Sequence, residues 1–229
     1  MNRADIEQSN KGNLSDLQGH KNLLVSFGGV SQGLGVPVFE FFNSIADIPC
    51  DKIFLRDFHQ AWYQKGVDEE LNHVDKVITY LQDIISTHSY ERVCFIGNSM
   101  GGYAALLFGS ILNVDQVIAF APQTFIDKWH RFLYRDRRWK KELAEVYTFE
   151  GQKKMFFDLK KYLSEHRSST TQLSIYYAHK HRLDRGHAKR LKSIPNVVLH
   201  PVKEGGHEVV KAIRNKGELK AIIRGCFEA

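Results

Sequence analysis

Gly97-Asn98-Ser99-Met100-Gly101 has the form G-x-S-x-G. A serine so placed becomes a nucleophile when it occupies a sharp strand-to-helix turn that projects its hydroxyl from a sheet edge. The flanking sequence predicts both elements: Arg92–Ile96 is an apolar strand, and Tyr103–Leu112 is a helix rich in Ala and Leu. Glycines on either side of Ser99 leave space where side chains would strike neighbouring backbone. The N-terminus of the helix adds free N–H groups that favour a developing oxyanion. A phosphate-binding turn is the competing reading of these glycines, but the chain has neither G-x-G-x-x-G nor a P-loop lysine.

A serine hydroxyl needs a base to take its proton. Gly205-Gly206-His207 follows the last predicted strand, which makes His207 the candidate base. The acid is expected after the preceding strand, Leu173–Ala178, where Asp184 can hold the His207 ring through its Nδ1–H. Asp127 is the rival acid, and a helix cap is the non-catalytic reading of Asp184. His179, His181 and His187 lie near Asp184 in sequence, and His-x-His can bind a metal. No cysteine or further carboxylate joins them, so a solvated basic loop is expected, with no metal and no cofactor assigned. One oxyanion donor is expected from the Met100 backbone. The other is expected from the glycine loop, at Gly29 or Val30, with that choice left open. Gly28, Ser31, Gln32, Asp57 and Trp129 are candidate substrate-binding residues.

These groups need a scaffold that brings strand ends together. Six apolar runs alternate with helix-period segments: Leu23–Phe27, Lys52–Leu55, Arg92–Ile96, Gln116–Phe120, Leu173–Ala178 and Val197–Val202. Leu71, Val74, Val77, Ile78, Leu81, Ile84 and Ile85 recur at helical spacing between the second and third of these runs. The alternation predicts an α/β fold, a mostly parallel sheet of about six strands flanked by helices. Residues 1–20 read as an arm or peripheral first element, and 21–229 as a single domain. An insert over Pro122–Thr171 is expected to form a helical cap above the strand ends. Its Trp129, Phe132, Leu133, Trp139, Leu143, Val146 and Tyr147 fall near helical spacing and are expected to pack inward against the sheet, with part of the stripe open to lining an acyl pocket. Arg131, Arg135, Arg137, Arg138, Lys140 and Lys141 are then expected to face outward.

Composition removes other classes. At 43% hydrophobic and 25% charged, the chain is neither disordered nor fibrous. No apolar run is long enough to span a membrane, and residues 1–20 contain no signal-like segment. Three cysteines, odd in number and far apart, imply no disulfide framework, so a reducing cytoplasm is expected. The net charge of +6 is concentrated locally: Asp127 to Lys141 holds seven Lys or Arg against two acids. Such a stretch suits a solvated face or an anionic acyl substrate, including one bound to a carrier, and does not by itself indicate nucleic acid.

The loop at Gly28-Gly29, the elbow Gly97–Gly101, Asp184 and Gly206-His207 together resemble the α/β-hydrolase superfamily over roughly Asn22 to Arg224. The resemblance implies a Ser-His-Asp enzyme that cleaves a carboxylic ester or thioester through an acyl-enzyme. It departs in one respect: so few residues precede the first core strand that the two usual leading strands are expected to be missing or reduced. Gly97–Gly102 is also similar to the elbow of carbon–carbon bond hydrolases acting on ring-cleavage products, although the glycine loop lacks their usual pattern. The same apparatus can pass an acyl group to an alcohol or amine. A non-catalytic binding protein on this scaffold is the rival from another class.

Overall fold

The computed structural model describes residues 11–30, 39–166 and 170–228. Seven strands form one sheet: β1 (Asn13–Asp16), β2 (Asn22–Phe27), β3 (Asp51–Leu55), β4 (Arg92–Asn98), β5 (Gln116–Phe120), β6 (Gln172–Ala178) and β7 (Val197–Val202). Their spatial order is β1-β3-β2-β4-β5-β6-β7. Only β1 runs antiparallel, pairing Asn13 with Leu55 along the outer edge of β3. It is a short strand beyond the six that the apolar runs predict, and its sequence, Asn-Leu-Ser-Asp, is too polar to stand out as one.

The parallel strands are apolar because they are covered on both faces. Side chains alternate along each strand, so β2 sends Leu23, Val25 and Phe27 to one core and Leu24 to the other. β4 does the same, with Val93 and Phe95 on one side and Cys94 and Ile96 on the opposite side. On the first face lie α1 (Val74–Thr87) and α2 (Met100–Ile111). On the second lie α7 (Val209–Asn215) and α8 (Leu219–Arg224). Between them in sequence come α3 (Lys128–Leu133), α4 (Lys140–Thr148), α5 (Leu159–Glu165) and α6 (Arg182–Arg190).

α2 is buried on every side but its last residue. Its Phe108 ring lies 5.5 Å from Phe27, which in turn lies 5.3 Å from Phe95. That cluster fixes α2 across the two central strands, each ring contributing about 2–3 kcal/mol of burial.

The topology chooses where a site can form. From β2 the chain moves outward to β3, then returns to β4 on the other side of β2. Ligands bind at such a reversal, beyond the carboxyl ends of the strands. Phe27 and Gly97 pair there, so the loop beginning at Gly28 and the turn at Ser99 emerge side by side. Within the insert, Leu143, Val146, Phe156, Leu159 and Leu163 join the first core. Trp129, Phe132 and Leu133 do not: they are 66%, 75% and 59% exposed. The inward packing expected of these three is corrected by the shortness of α3, six residues anchored at its start by the Asp127 carboxylate on the His130 N–H. Arg131 and Arg138 are also corrected: Arg131 turns in to donate to the Arg138 carbonyl, and Arg138 turns in to meet Asp136 and Asp184.

Candidate active site

β4 ends at Asn98 and α2 starts at Met100, which leaves Ser99 alone to turn the chain. It does so at φ +54° and ψ −113°, a conformation costly for a residue with a Cβ. The turn is held by the Ser99 N–H on the Phe120 carbonyl and by the Tyr103 N–H on the Ser99 carbonyl. Its glycines are required by contact. A Cβ on Gly97 would stand 2.1 Å from the Gly101 carbonyl oxygen, and one on Gly101 would stand 2.1 Å from that of Phe27. Both obstacles are backbone and cannot rotate away. Gly101→Ala is therefore expected to destabilise the fold by about 3 kcal/mol or more, read as a lowered midpoint in urea. An unchanged midpoint would mean that the elbow is looser than its geometry.

Ser99 Oγ lies 3.2 Å from His207 Nε2, and His207 Nδ1 lies 2.9 Å from Asp184 Oδ1. Ser99 and His207 follow β4 and β7, Asp184 stands in the first turn of α6 beyond β6, and the three side chains form one hydrogen-bonded line. Asp184 is 1% exposed. Burial pushes its carboxyl up, but the His207 hydrogen bond and the charges of His207, His181 and Arg138 together hold it below the usual carboxylate range. Asp127, the rival acid, is occupied elsewhere: it caps α3 and lies 2.8 Å from His130 Nδ1.

Behind Asp184 is a layer that sequence spacing did not reveal. His187 is buried at 1% exposure and stacked on Phe125 at 3.9 Å between ring centroids. Its Nδ1 accepts the Thr124 N–H at 3.0 Å. The proton is therefore on Nε2, which donates to Asp136 at 3.3 Å. Burial pushes His187 down to about 4, so the ring stays neutral. Asp136 is itself held well below its ordinary range, His187 and Arg138 outweighing its burial. Arg138 spans from Asp136 to Asp184 Oδ1, 3.4 Å away. The insert thus reaches the acid of the line through Arg138.

The Ser99 hydroxyl faces a cleft of about 310 Å³ whose walls include Gly29, Val30, Glu40, Trp139, Lys211 and Arg214. This is the size of a small-ligand site. Gly29 packs on the elbow, where a Cβ would meet the Asn98 carbonyl oxygen at 3.0 Å. Its N–H donates to Glu40 Oε1 at 3.2 Å. The Asn98 side chain also bonds Glu40, yet burial dominates and pushes this carboxyl from 4.5 up to about 7. Among the described residues, the buried Glu40 Oε2 has no hydrogen-bond partner. No motif marked Glu40, because it enters the cleft from an irregular turn outside any periodic element.

The remaining candidates divide. Gly28 lies below the cleft wall, its N–H on the Leu55 carbonyl and its own carbonyl accepting the Tyr63 hydroxyl. Asp57 is buried and accepts the N–H groups of His59, Ala61 and Tyr63 at 2.7–2.9 Å, tying a turn in which Gln60, Trp62 and Tyr63 have positive φ. Burial pushes it up to about 6 against those three bonds. Trp129 stands in solvent, away from the cleft. Ser31 and Gln32 lie outside the described residues. His181, Asp184 and His207 offer donor atoms within 4.8 Å of one another, as do Asp127, His130 and Asp158. A guanidinium already stands against each set, Arg138 on Asp184 and Arg190 on Asp158. Among the described residues no helix is long and apolar enough to cross a membrane.

No protein-family model matches the sequence, and a search of curated proteins gives no match. Solved structures do match. The capsule O-acetyltransferase of Neisseria meningitidis serogroup A aligns with a TM-score of 0.72 at 18% identity, over 93% of this chain and 90% of that one. A fluorophosphonate-binding serine hydrolase of Staphylococcus aureus aligns at 0.60 and 14%, over 92% and 85%. An S-formylglutathione hydrolase from Agrobacterium tumefaciens aligns at 0.59 and 11%, over 93% and 85%. With the sheet order and the elbow, these likenesses show that the chain has the α/β-hydrolase fold.

Proposed function

We propose that the chain is an acyl-transferring enzyme that takes its acyl group from a carboxylic ester or thioester onto Ser99. The observation that carries this reading is the unbroken line from Ser99 Oγ through His207 to the buried Asp184 carboxylate, at the strand-order reversal. Asp184 keeps the proton of neutral His207 on Nδ1, which leaves Nε2 free to accept. Ser99 attacks the carbonyl carbon as its proton passes to Nε2. The tetrahedral oxyanion is held by the Met100 N–H and by the Gly29 or Val30 N–H. His207 then returns the proton to the departing alkoxide or thiolate, and the acyl group stays on Ser99. Water enters, loses a proton to His207 and attacks the acyl carbon; the acid leaves and Ser99 recovers its proton.

Hydrolysis is the first reading of the second half-reaction. Transfer to an acceptor hydroxyl is the second, and it is favoured by the likeness to the capsule O-acetyltransferase, one structure of which holds CoA. Lys211 and Arg214 in the cleft wall suit the phosphates of such a donor.

A fluorophosphonate probe with intact-mass measurement tests the reading. One adduct is expected on the wild type and none on Ser99→Ala. A folded wild type that takes no adduct would overturn it and favour a binding protein. Acetyl-CoA or p-nitrophenyl acetate, supplied with and without a polyol, then separates free acetate from acetylated acceptor.

A further inference from the structure

The three most exposed large apolar side chains among the described residues, Trp129, Phe132 and Leu133, all stand on the single short helix α3. Scattered exposed apolar groups are ordinary; a projecting cluster of an indole, a phenyl and an isobutyl group is not. Lys128, Arg135, Arg137, Lys140 and Lys141 flank the cluster in sequence, and every one of them is exposed. Of the two acids in this stretch, Asp136 is buried and Asp127 half-buried, and both are paired. Asp127 is bound to His130, and Asp136 to Arg138 and His187. The exposed charges from Lys128 to Lys141 are therefore all basic, with Glu142 and Glu145 following on α4.

The basic surface continues beyond α3. Tyr134, the next residue, forms one wall of a groove of about 790 Å³ that is also lined by Arg182, Arg185, Lys189 and Lys192, with no acid among its lining residues. The Arg182 guanidinium donates to the Tyr134 carbonyl at 2.7 Å, joining the two parts of the face.

We propose that this face docks on an anionic lipid bilayer, with Trp129, Phe132 and Leu133 entering the headgroup–acyl boundary and the cations lying at phosphate level. The chemistry selects a bilayer over a soluble polyanion. A polyanion needs the cations and gains nothing from solvent-standing Phe132 and Leu133, whereas an interfacial site uses both. Trp129 suits the interface because its indole is apolar with one polar edge. The stretch leads within a few residues to Trp139 in the cleft wall, so docking would bring the cleft to the membrane surface.

Co-sedimentation with vesicles tests this, using phosphatidylcholine alone and phosphatidylcholine mixed with phosphatidylglycerol. Binding is expected only to the mixed vesicles, weakening as salt screens the cations. Trp62 is fully buried and Trp139 half-buried, so a blue shift in tryptophan emission on binding would report chiefly Trp129. Phe132→Ser with Leu133→Ser should lower partitioning by more than about tenfold. The circular dichroism and thermal midpoint should hold, since both side chains stand in solvent. A wild type that stays in the supernatant with mixed vesicles would overturn the proposal, as it would if the face were built for an acidic protein or a soluble polyanion. So would a double variant that binds as well as the wild type.

Discussion

Asp184→Asn is expected to lower kcat toward an activated ester by about 10⁴-fold while leaving the fold intact. The carboxylate oxygen that accepts His207 Nδ1–H at 2.9 Å is what fixes the imidazole tautomer. An amide of the same shape can turn its NH₂ toward Nδ1. The ring proton then moves to Nε2 and points at Ser99, where the base should be. Packing around the side chain survives, because Arg138 keeps both oxygens of Asp136 as partners. Acid stability should change in a defined direction. A carboxyl held low in the folded protein stabilises it above the unfolded value near 4, and that contribution is lost as pH falls. Asp184→Asn should therefore lose less stability than the wild type on acidification. Asp127→Asn supplies the contrast. It weakens a helix cap worth about 1 kcal/mol and should leave kcat within a small factor. Steady-state rates and urea midpoints for both variants decide the matter, and the reverse pattern would move the acid to Asp127.

The sequence made the central strands legible because burial on both faces forces an unbroken apolar run, as in Val93-Cys94-Phe95-Ile96. The elbow was legible because two backbone contacts at 2.1 Å admit only glycine. Ser99, Asp184 and His207 could be nominated because each follows a strand whose end the topology brings to one edge. What stayed hidden depends on tertiary contact. Arg138 and Arg137 are neighbours of the same type, yet one reaches Asp184 and the other stands in solvent, and no periodicity distinguishes them. His187 sits in a helix whose other side chains are mostly charged, so its burial on Phe125 was not predictable from pattern. Trp129, Phe132 and Leu133 show the opposite failure: helical spacing of apolar residues implies a covered face only when a partner surface lies opposite, and among the described residues these three have none. Glu40 carries no motif because its place is set by Gly29 and Asn98, which come from two different strand ends.

Glu40→Gln should raise kcat/KM on the alkaline side of neutrality by about tenfold, if the Gly29 amide is the second oxyanion donor. In the wild type that N–H is already given to Glu40 Oε1 at 3.2 Å. An ionised carboxylate there competes with the oxyanion for its donor and repels the charge that develops. A neutral carboxyl releases the amide more readily and adds no repulsion. Because burial pushes Glu40 up to about 7, the wild-type profile should fall above that pH. In Glu40→Gln the fall should vanish. One oxyanion donor is commonly worth about 10²–10³ in rate, so a tenfold gain asks only for partial release.

Stability should follow the same titration. The folded protein holds this proton more tightly than the unfolded chain, so between the ordinary value of 4.5 and about 7 it loses stability as pH rises. Glu40→Gln removes that loss and should be more stable than the wild type at pH 8 by about 1–3 kcal/mol, with little difference at pH 5. If the stability difference appears without the change in the rate profile, Glu40 is buried as argued but Gly29 is not the donor, and the Val30 amide takes that role. If neither appears, the Glu40 carboxyl is hydrated and the contact to Gly29 does not shape the site.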